Sequence, residues 1–200
     1  MIMMKLRNKI FMLLLLLLPL MAQAQNARQI LDKTAALISN KGGATANFSM
    51  SGKYGSASGT LSIKGKKFCA HTAQATTWYD GKTQWTYMKR NDEVNISNPS
   101  ASQQQSLNPY NFIYLYKSGY DMTAKKNATG YEVHLKAQKK NIREVYITVN
   151  KKYQPTQIKV LNDKGWSTIT ITNFKTAKLS DSIFRFNDKD YPQAEVIDLR

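Results

Sequence analysis

Cys69 is the only cysteine in 200 residues. One thiol excludes an internal disulfide, although export to an oxidising space would permit one. Cys69 follows Phe68 in an apolar, strand-like run, where a buried, inert thiol is expected. A nucleophile would need a basic partner, and the sequence identifies none. Histidine is almost as scarce, with only His71 and His134. Neither stands in a metal-ligand spacing such as His-x-x-x-His. His134 alternates with Val133 and Leu135 and is expected to face solvent. No Gly-x-Ser-x-Gly elbow and no phosphate-binding glycine loop occurs. Acidic residues number 13 against 29 Lys and Arg, and Asp80, Asp92, Asp121, Asp163 and Asp181 mark turns or strand ends. So few acid–base groups leave few candidates for catalysis, and no metal and no cofactor are expected.

A long apolar run occurs only near the N-terminus. Lys5, Arg7 and Lys9 form a basic region, Phe11 to Leu18 is unbroken and leucine-rich, and Ala22-Gln23-Ala24 is a small-x-small cleavage site. This is the pattern of a secretory signal peptide over residues 1–24, cut after Ala24. A membrane span fits less well, because the run ends at Pro19 and a span needs ~20 apolar residues. The residue directly after the cut is Gln25 and not cysteine, so nothing there can be lipidated. The remaining 176 residues, 25–200, suit one domain.

Positive charge is what the chain has in excess. The net charge of +16 becomes +13 without Lys5, Arg7 and Lys9. The lysines are spread: Lys64, Lys66 and Lys67; Lys125 and Lys126; Lys139 and Lys140 with Arg143; Lys151 and Lys152. Most fall where turns are expected, as solvated residues. The sharper alternative is attraction to anionic lipid head groups or an acidic partner. An exported chain without a recognition module is not expected to bind nucleic acid.

Ala27, Ile30, Leu31, Thr34, Ala35 and Ile38 recur at three and four residues and predict a helix over Asn26 to Ser39. Asn26 is its cap, with Gln29 reaching back. Asn40, Gly42 and Gly43 end it. From Ala44 the period is two. Phe48 and Met50, Leu61 and Ile63, then Phe68 to His71 predict strands joined by turns at Gly52–Gly55 and Gly65-Lys66. Trp78-Tyr-Asp-Gly-Lys-Thr-Gln-Trp-Thr-Tyr87 reads as an aromatic hairpin, with Asp80-Gly81 as a two-residue turn. Val94 and Ile96 close the meander. Asn108-Pro109 caps a second helix, Tyr110 to Lys117, stopped by Gly119. Its Phe112, Ile113, Leu115 and Tyr116 suit a lid or a core helix alike. Tyr131 to Leu135, Val145 to Val149, Ile158 and Val160, Trp166 to Phe174, Phe184 with Phe186, and the tail after Ala194 predict further strands. The class is α+β: an incomplete, half-open antiparallel β-barrel of about ten or eleven strands, with two helices on its concave apolar face. Periodicity alone reads that face as an ordinary core. A cavity left partly empty for an apolar ligand is the alternative.

In order and in wording these pieces resemble one family. They are Gln29-Ile-Leu-Asp-Lys33; Ala46-Asn-Phe48; Gly59-Thr-Leu-Ser-Ile-Lys-Gly-Lys-Lys-Phe68; the Trp78–Tyr87 hairpin, the most specific of them; Glu93-Val-Asn-Ile96; Asn108-Pro109; and Phe184-Arg-Phe186 to Val196-Ile-Asp-Leu-Arg200. The chain looks like a member of the periplasmic lipoprotein carriers, the LolA family. The resemblance implies a half-barrel with a helical lid. Its apolar cavity would take the acyl chains of lipoproteins from an inner-membrane lipoprotein-releasing transporter to an outer-membrane acceptor, in the periplasm and as a monomer. The candidate lining is Phe48, Met50, Leu61, Ile63, Phe68, Trp78, Trp85, Tyr87, Val94 and Ile96, closed by Phe112 and Leu115. Not all of these can face inward, because the hairpin register is open. The family's better-known members hold the lid with an arginine just before the phenylalanine strand. Lys64 to Lys67 stand there instead, and lysine lacks the bidentate fork; Lys66 or Lys67 is the candidate for that role. The alternative within the resemblance is a half-barrel module that binds another lipid or lipopolysaccharide, or serves as an envelope sensor or scaffold.

Overall fold

The computed structural model describes residues 24–39, 42–53, 55–100, 103, 111–137 and 140–200. Residues 1–23 of the expected signal peptide lie outside that set, as do Asn40 and the expected Asn108-Pro109 cap. Helix α1 spans residues 24–38. Its periodic stripe is the face it buries: Ala27, Ile30, Leu31, Thr34, Ala35 and Ile38 are each at most 6% exposed. Thr34 belongs there because its hydroxyl donates to the Ile30 carbonyl at 3.0 Å, which satisfies the hydroxyl inside the helix.

Six strands follow: β1 (Ala44–Gly52), β2 (Gly55–Lys64), β3 (Lys67–Thr72), β4 (Ala75–Tyr79), β5 (Gln84–Met88) and β6 (Glu93–Ser97). Helix α2 is short, Asn111–Tyr114, and tightens into a 3-10 turn over Leu115–Ser118. Gly119 ends it at φ 75°, as expected of a left-handed cap. Then come β7 (Asp121–Lys126), β8 (Gly130–Lys136), β9 (Ile142–Asn150), β10 (Pro155–Asn162), β11 (Gly165–Thr176) and β12 (Glu195–Asp198).

All twelve form one sheet in the order β12-β6-β5-β4-β3-β2-β1-β11-β10-β9-β8-β7. Two meanders, β1–β6 and β7–β11, are fused where β1 pairs with β11. Only β12 runs parallel to its neighbour, β6. The sheet is open, with β12 and β7 as its edges, and α1 and α2 lie in its curve. It is a half-barrel of the expected class with twelve strands. β7 is an addition, because its Asp121, Lys125 and Lys126 dilute the apolar alternation. The expected Phe184–Phe186 strand is not one. Ser180 accepts from the Ser182 amide and opens a 3-10 turn over Asp181–Phe184.

The hairpin turn also differs. β4 and β5 are joined by four residues, 80–83, not two. The Asp80 carboxylate accepts from the Lys82 and Thr83 amides at 3.0 and 2.9 Å. Gly81 takes φ 102°, open to glycine at no steric cost. This loop sets Trp78 opposite Trp85 and Tyr79 opposite Gln84.

That register decides which face each aromatic occupies, since neighbours along a strand point to opposite sides. Tyr79 joins Phe68, Leu61 and Ile63 on the concave face, in one core with the α1 stripe, Ile113, Leu115 and Tyr116. The far meander adds Val133, Leu135, Val145, Ile147, Ile158 and Ile169. Trp78 points the other way. There it forms a second cluster with Cys69 and Phe184, flanked by Trp85, Tyr87, Phe186 and Tyr191.

Candidate functional site

Where α1 ends over the seam of the two meanders, the concave packing leaves a groove. Ile38 and Ile113 roof it. Ala44, Ala46 and Phe48 of β1 and Leu61 and Ile63 of β2 form one wall; Ile158, Ile169, Ile171 and Phe174 form the other, with Pro155 at one end. No charged side chain among the described residues lines it. Thr45 and Asn47, the polar members of the lining, stand on either side of the point where the register of β1 against β11 shifts, with the extra residue on β11. The cavity volume is ≈ 40 Å³. That exceeds the space one water needs, about 10–15 Å³, and falls far below the ~300 Å³ at which ligand pockets begin.

The two helices are fastened to each other by tyrosines. The Tyr116 hydroxyl donates to the Asp32 carboxylate. The Tyr114 hydroxyl makes a long contact to the Ala35 carbonyl at 3.5 Å. Burial first, then the Asp32 bond, pushes the Tyr116 phenol well above its usual range. A third tyrosine ties α1 to the sheet. Lys33 donates to the Tyr153 hydroxyl at 3.1 Å, and that bond lowers the Tyr153 phenol. Tyr153 stacks flat on Tyr131 with centroids 5.5 Å apart and holds φ 61°, a costly conformation for a bulky residue.

The twelve apolar residues expected around one cavity are divided by the sheet. Phe48, Leu61 and Ile63 line the groove. Met50 shares their face but is 39% exposed beyond it. Phe68 is buried against Tyr79 at 5.5 Å; Phe112 and Leu115 pack into the same core. Trp78, Trp85 and Tyr87 are corrected to the convex face, beneath the C-terminal segment. Val94 and Ile96 go with them, directly opposite Tyr87 and Trp85. The concave positions of β5 and β6 are instead Gln84, Thr86 and Asn95. Sequence reasoning missed Ile38, Ala46, Ile158, Ile169, Ile171 and Phe174 as lining. Their alternation was visible, but the pairing of β1 with β11, which makes them a wall, joins residues more than a hundred positions apart.

The lysine placement also changes. Lys67 and Lys64 bind the Asp181 carboxylate at 3.0 and 2.9 Å, and Lys64 donates to the Leu179 carbonyl at 2.9 Å. They fasten the C-terminal segment, not a helix, and Lys66 is exposed at the turn. Arg185 adds an ion pair to Asp80 at 3.2 Å. Beneath this strap Cys69 does have a basic neighbour. Its Sγ lies 3.3 Å from His71 Nε2, and His71 Nδ1 lies 3.2 Å from the Thr76 hydroxyl. The signal was Cys-x-His within one strand, which period two places on one face. Burial nonetheless pushes the thiol up to about 12 and lowers His71. The thiol stays protonated, and the thiolate is the nucleophilic form. Among the described residues no group of three His, Cys, Asp or Glu is placed to hold a metal.

The family model described as "Outer membrane lipoprotein carrier protein LolA" matches residues 18–164. No curated protein matches. Among solved structures, an uncharacterized conserved protein from Thermus thermophilus is similar at 14% identity and TM-score 0.60, covering 86% of this chain and 99% of that one. A LolA superfamily protein from Nitrosomonas europaea is similar at 13% identity and TM-score 0.44, over 80% of this chain and 97% of that one. The MucA/MucB complex of Pseudomonas aeruginosa is similar at 13% identity and TM-score 0.43, over 82% and 62%. Identities this low speak to the fold alone.

Proposed function

We propose a function from this premise: the chain belongs to the LolA family of outer membrane lipoprotein carrier proteins. It is a carrier, not an enzyme, and its groove takes the acyl chains of lipid-anchored proteins. The carrying observation is the groove itself, walled by aliphatic and phenylalanine side chains, without a charge among the described residues, beneath two helices that side-chain hydrogen bonds hold. Acyl burial is favourable by ~0.8 kcal/mol per CH₂, so the lining supplies affinity with little chemical selectivity. At ≈ 40 Å³ the groove must widen to take an acyl chain. Admission requires α1 and α2 to part, which breaks the Tyr116–Asp32 and Tyr114–Ala35 contacts. Those tyrosines take the part that the family's arginine implies.

In this reading residues 1–24 direct export and are removed, and residues 25–200 act as one periplasmic domain. It receives cargo from an inner-membrane transporter and yields it to an outer-membrane acceptor. Native mass spectrometry of the exported protein tests this. An acylated species travelling with the protein is the expected result. If none co-purifies and none is taken up from acylated peptide, the carrier reading is lost. The small cavity volume favours one alternative, a half-barrel that serves as an envelope sensor or scaffold with its concavity filled. That reading gains if acyl uptake is absent while the fold is intact.

A further inference from the structure

On the convex face of the far meander, away from the groove, a depression of ≈ 410 Å³ is lined by Glu132, Tyr146, Lys159, Trp166 and Thr168. That volume is within the range of small-ligand sites. Trp166 is 46% exposed and stands beside Tyr146, with ring centroids 5.9 Å apart and planes at 43°. The two rings form an angled corner, not a packed stack. Behind them the side chains are committed to one another. His134 stacks on Tyr146 with centroids 4.2 Å apart, and Glu144 binds His134 at 3.1 Å and the Tyr146 hydroxyl at 3.4 Å. In front they are free. The Glu132 carboxylate, the Lys159 ammonium, the Thr168 hydroxyl and the Trp166 indole N–H have no side-chain hydrogen bond or ion pair among the described residues.

We propose that this depression is a saccharide site, in which the Trp166 indole carries one face of a pyranose ring. The ring face of an aromatic is negative and attracts the weakly positive C–H face of a sugar. Around that platform stand an acceptor-only carboxylate, a donor-only ammonium and a hydroxyl that does both, the set that vicinal hydroxyls require. Thr168, Lys159 and Tyr146 lie directly opposite one another on β11, β10 and β9. Strands stand ~4.8 Å apart, so these groups can grasp opposite edges of one six-membered ring. The locked His134–Glu144–Tyr146 network keeps the corner in shape before the ligand arrives, which limits the ordering cost of binding. An anionic membrane surface is the poorer occupant, because the Glu132 carboxylate lines the depression beside the indole.

The test is a hydrogen–nitrogen NMR titration of the whole exported protein with maltohexaose, isomaltohexaose and chitohexaose. The Trp166 indole signal is assigned by its loss in Trp166→Phe. At least one sugar should shift that signal saturably while the Trp78 and Trp85 indoles stay still. Trp166→Ala should weaken binding at least tenfold by calorimetry. Glu132→Gln and Lys159→Met, which leave the platform in place, should each weaken it several-fold. No shift with any of the three sugars overturns the assignment, as does unchanged affinity in these variants. A Trp166 signal that responds to phosphatidylglycerol vesicles and to no sugar overturns it in favour of membrane contact.

Discussion

Two side chains on the convex side show how much environment decides beyond residue type. Cys69 has the imidazole neighbour that a nucleophile needs, yet it is 2% exposed and its thiol sits near 12. A thiol reagent at pH 8 should therefore label native protein only as fast as the protein unfolds. Rapid labelling of the native state would mean that His71 activates the sulfur. Asp181 is the counterpart among charges. The Lys64 and Lys67 hydrogen bonds hold its carboxyl below the ordinary value. A carboxyl depressed by folding contributes stability that is complete above its unfolded value, near 3.9, and lost as pH falls through its lower folded value. Asp181→Asn should speed hydrogen exchange at the Arg185 amide at pH 7, and the wild type should converge on the variant only as pH falls below the ordinary carboxyl value through the lower folded one. Equal exchange at neutral pH would show that the ion pairs do not fasten the strap.

At the scale of elements, the aromatic hairpin and the first strand have separate roles. Trp78 is 6% exposed and packs edge-on to Phe186 and Tyr191, with centroids 5.6 Å away in each case. Trp78→Ala should cost ~3–5 kcal/mol in denaturant unfolding and leave acyl binding by the folded fraction unchanged. Ala46 borders the groove and is half-buried. Ala46→Phe should keep most of the stability and abolish acyl uptake by filling the space. Reversed outcomes in the two assays would return the hairpin to the lipid side. The hairpin motif, the most specific part of the family resemblance, marks the fold and not the groove. α1 was the most legible element, because one helix stripe has one way to be buried. α2 was legible in its hydrophobicity but not its role, since Ile113 roofs the groove while Leu115 and Tyr116 fill the core.

The whole molecule is a sheet with a cover on each side. Helices occupy the concave face. The C-terminal segment crosses the convex face of the near meander and ends in β12 on the β6 edge. Among the described residues nothing covers the far meander's convex face in this way, and Trp166 there is 46% exposed. A chain ended after Thr176 should expose Trp78, Trp85 and Tyr87 together. Red-shifted tryptophan emission, binding of a hydrophobic dye and self-association are expected. A monomer with unchanged emission would mean that the strap covers nothing.

Local pattern sufficed for much of this. The α1 stripe, the period-two strands, their turns and the class of an open antiparallel half-barrel are legible from neighbouring residues, because helix and strand periodicities are properties of the chain itself. The family was legible from the order of the motifs. Three things required the tertiary structure. The pairing of β1 with β11 brings the two meanders together across the length of the chain and so makes the groove. The four-residue loop at Asp80 sets the hairpin register, and a slip of one residue there would exchange its faces. The strap determines that Trp78, Trp85 and Tyr87 are covered by protein, since an alternating strand shows that two faces exist and leaves to distant contacts what lies against each.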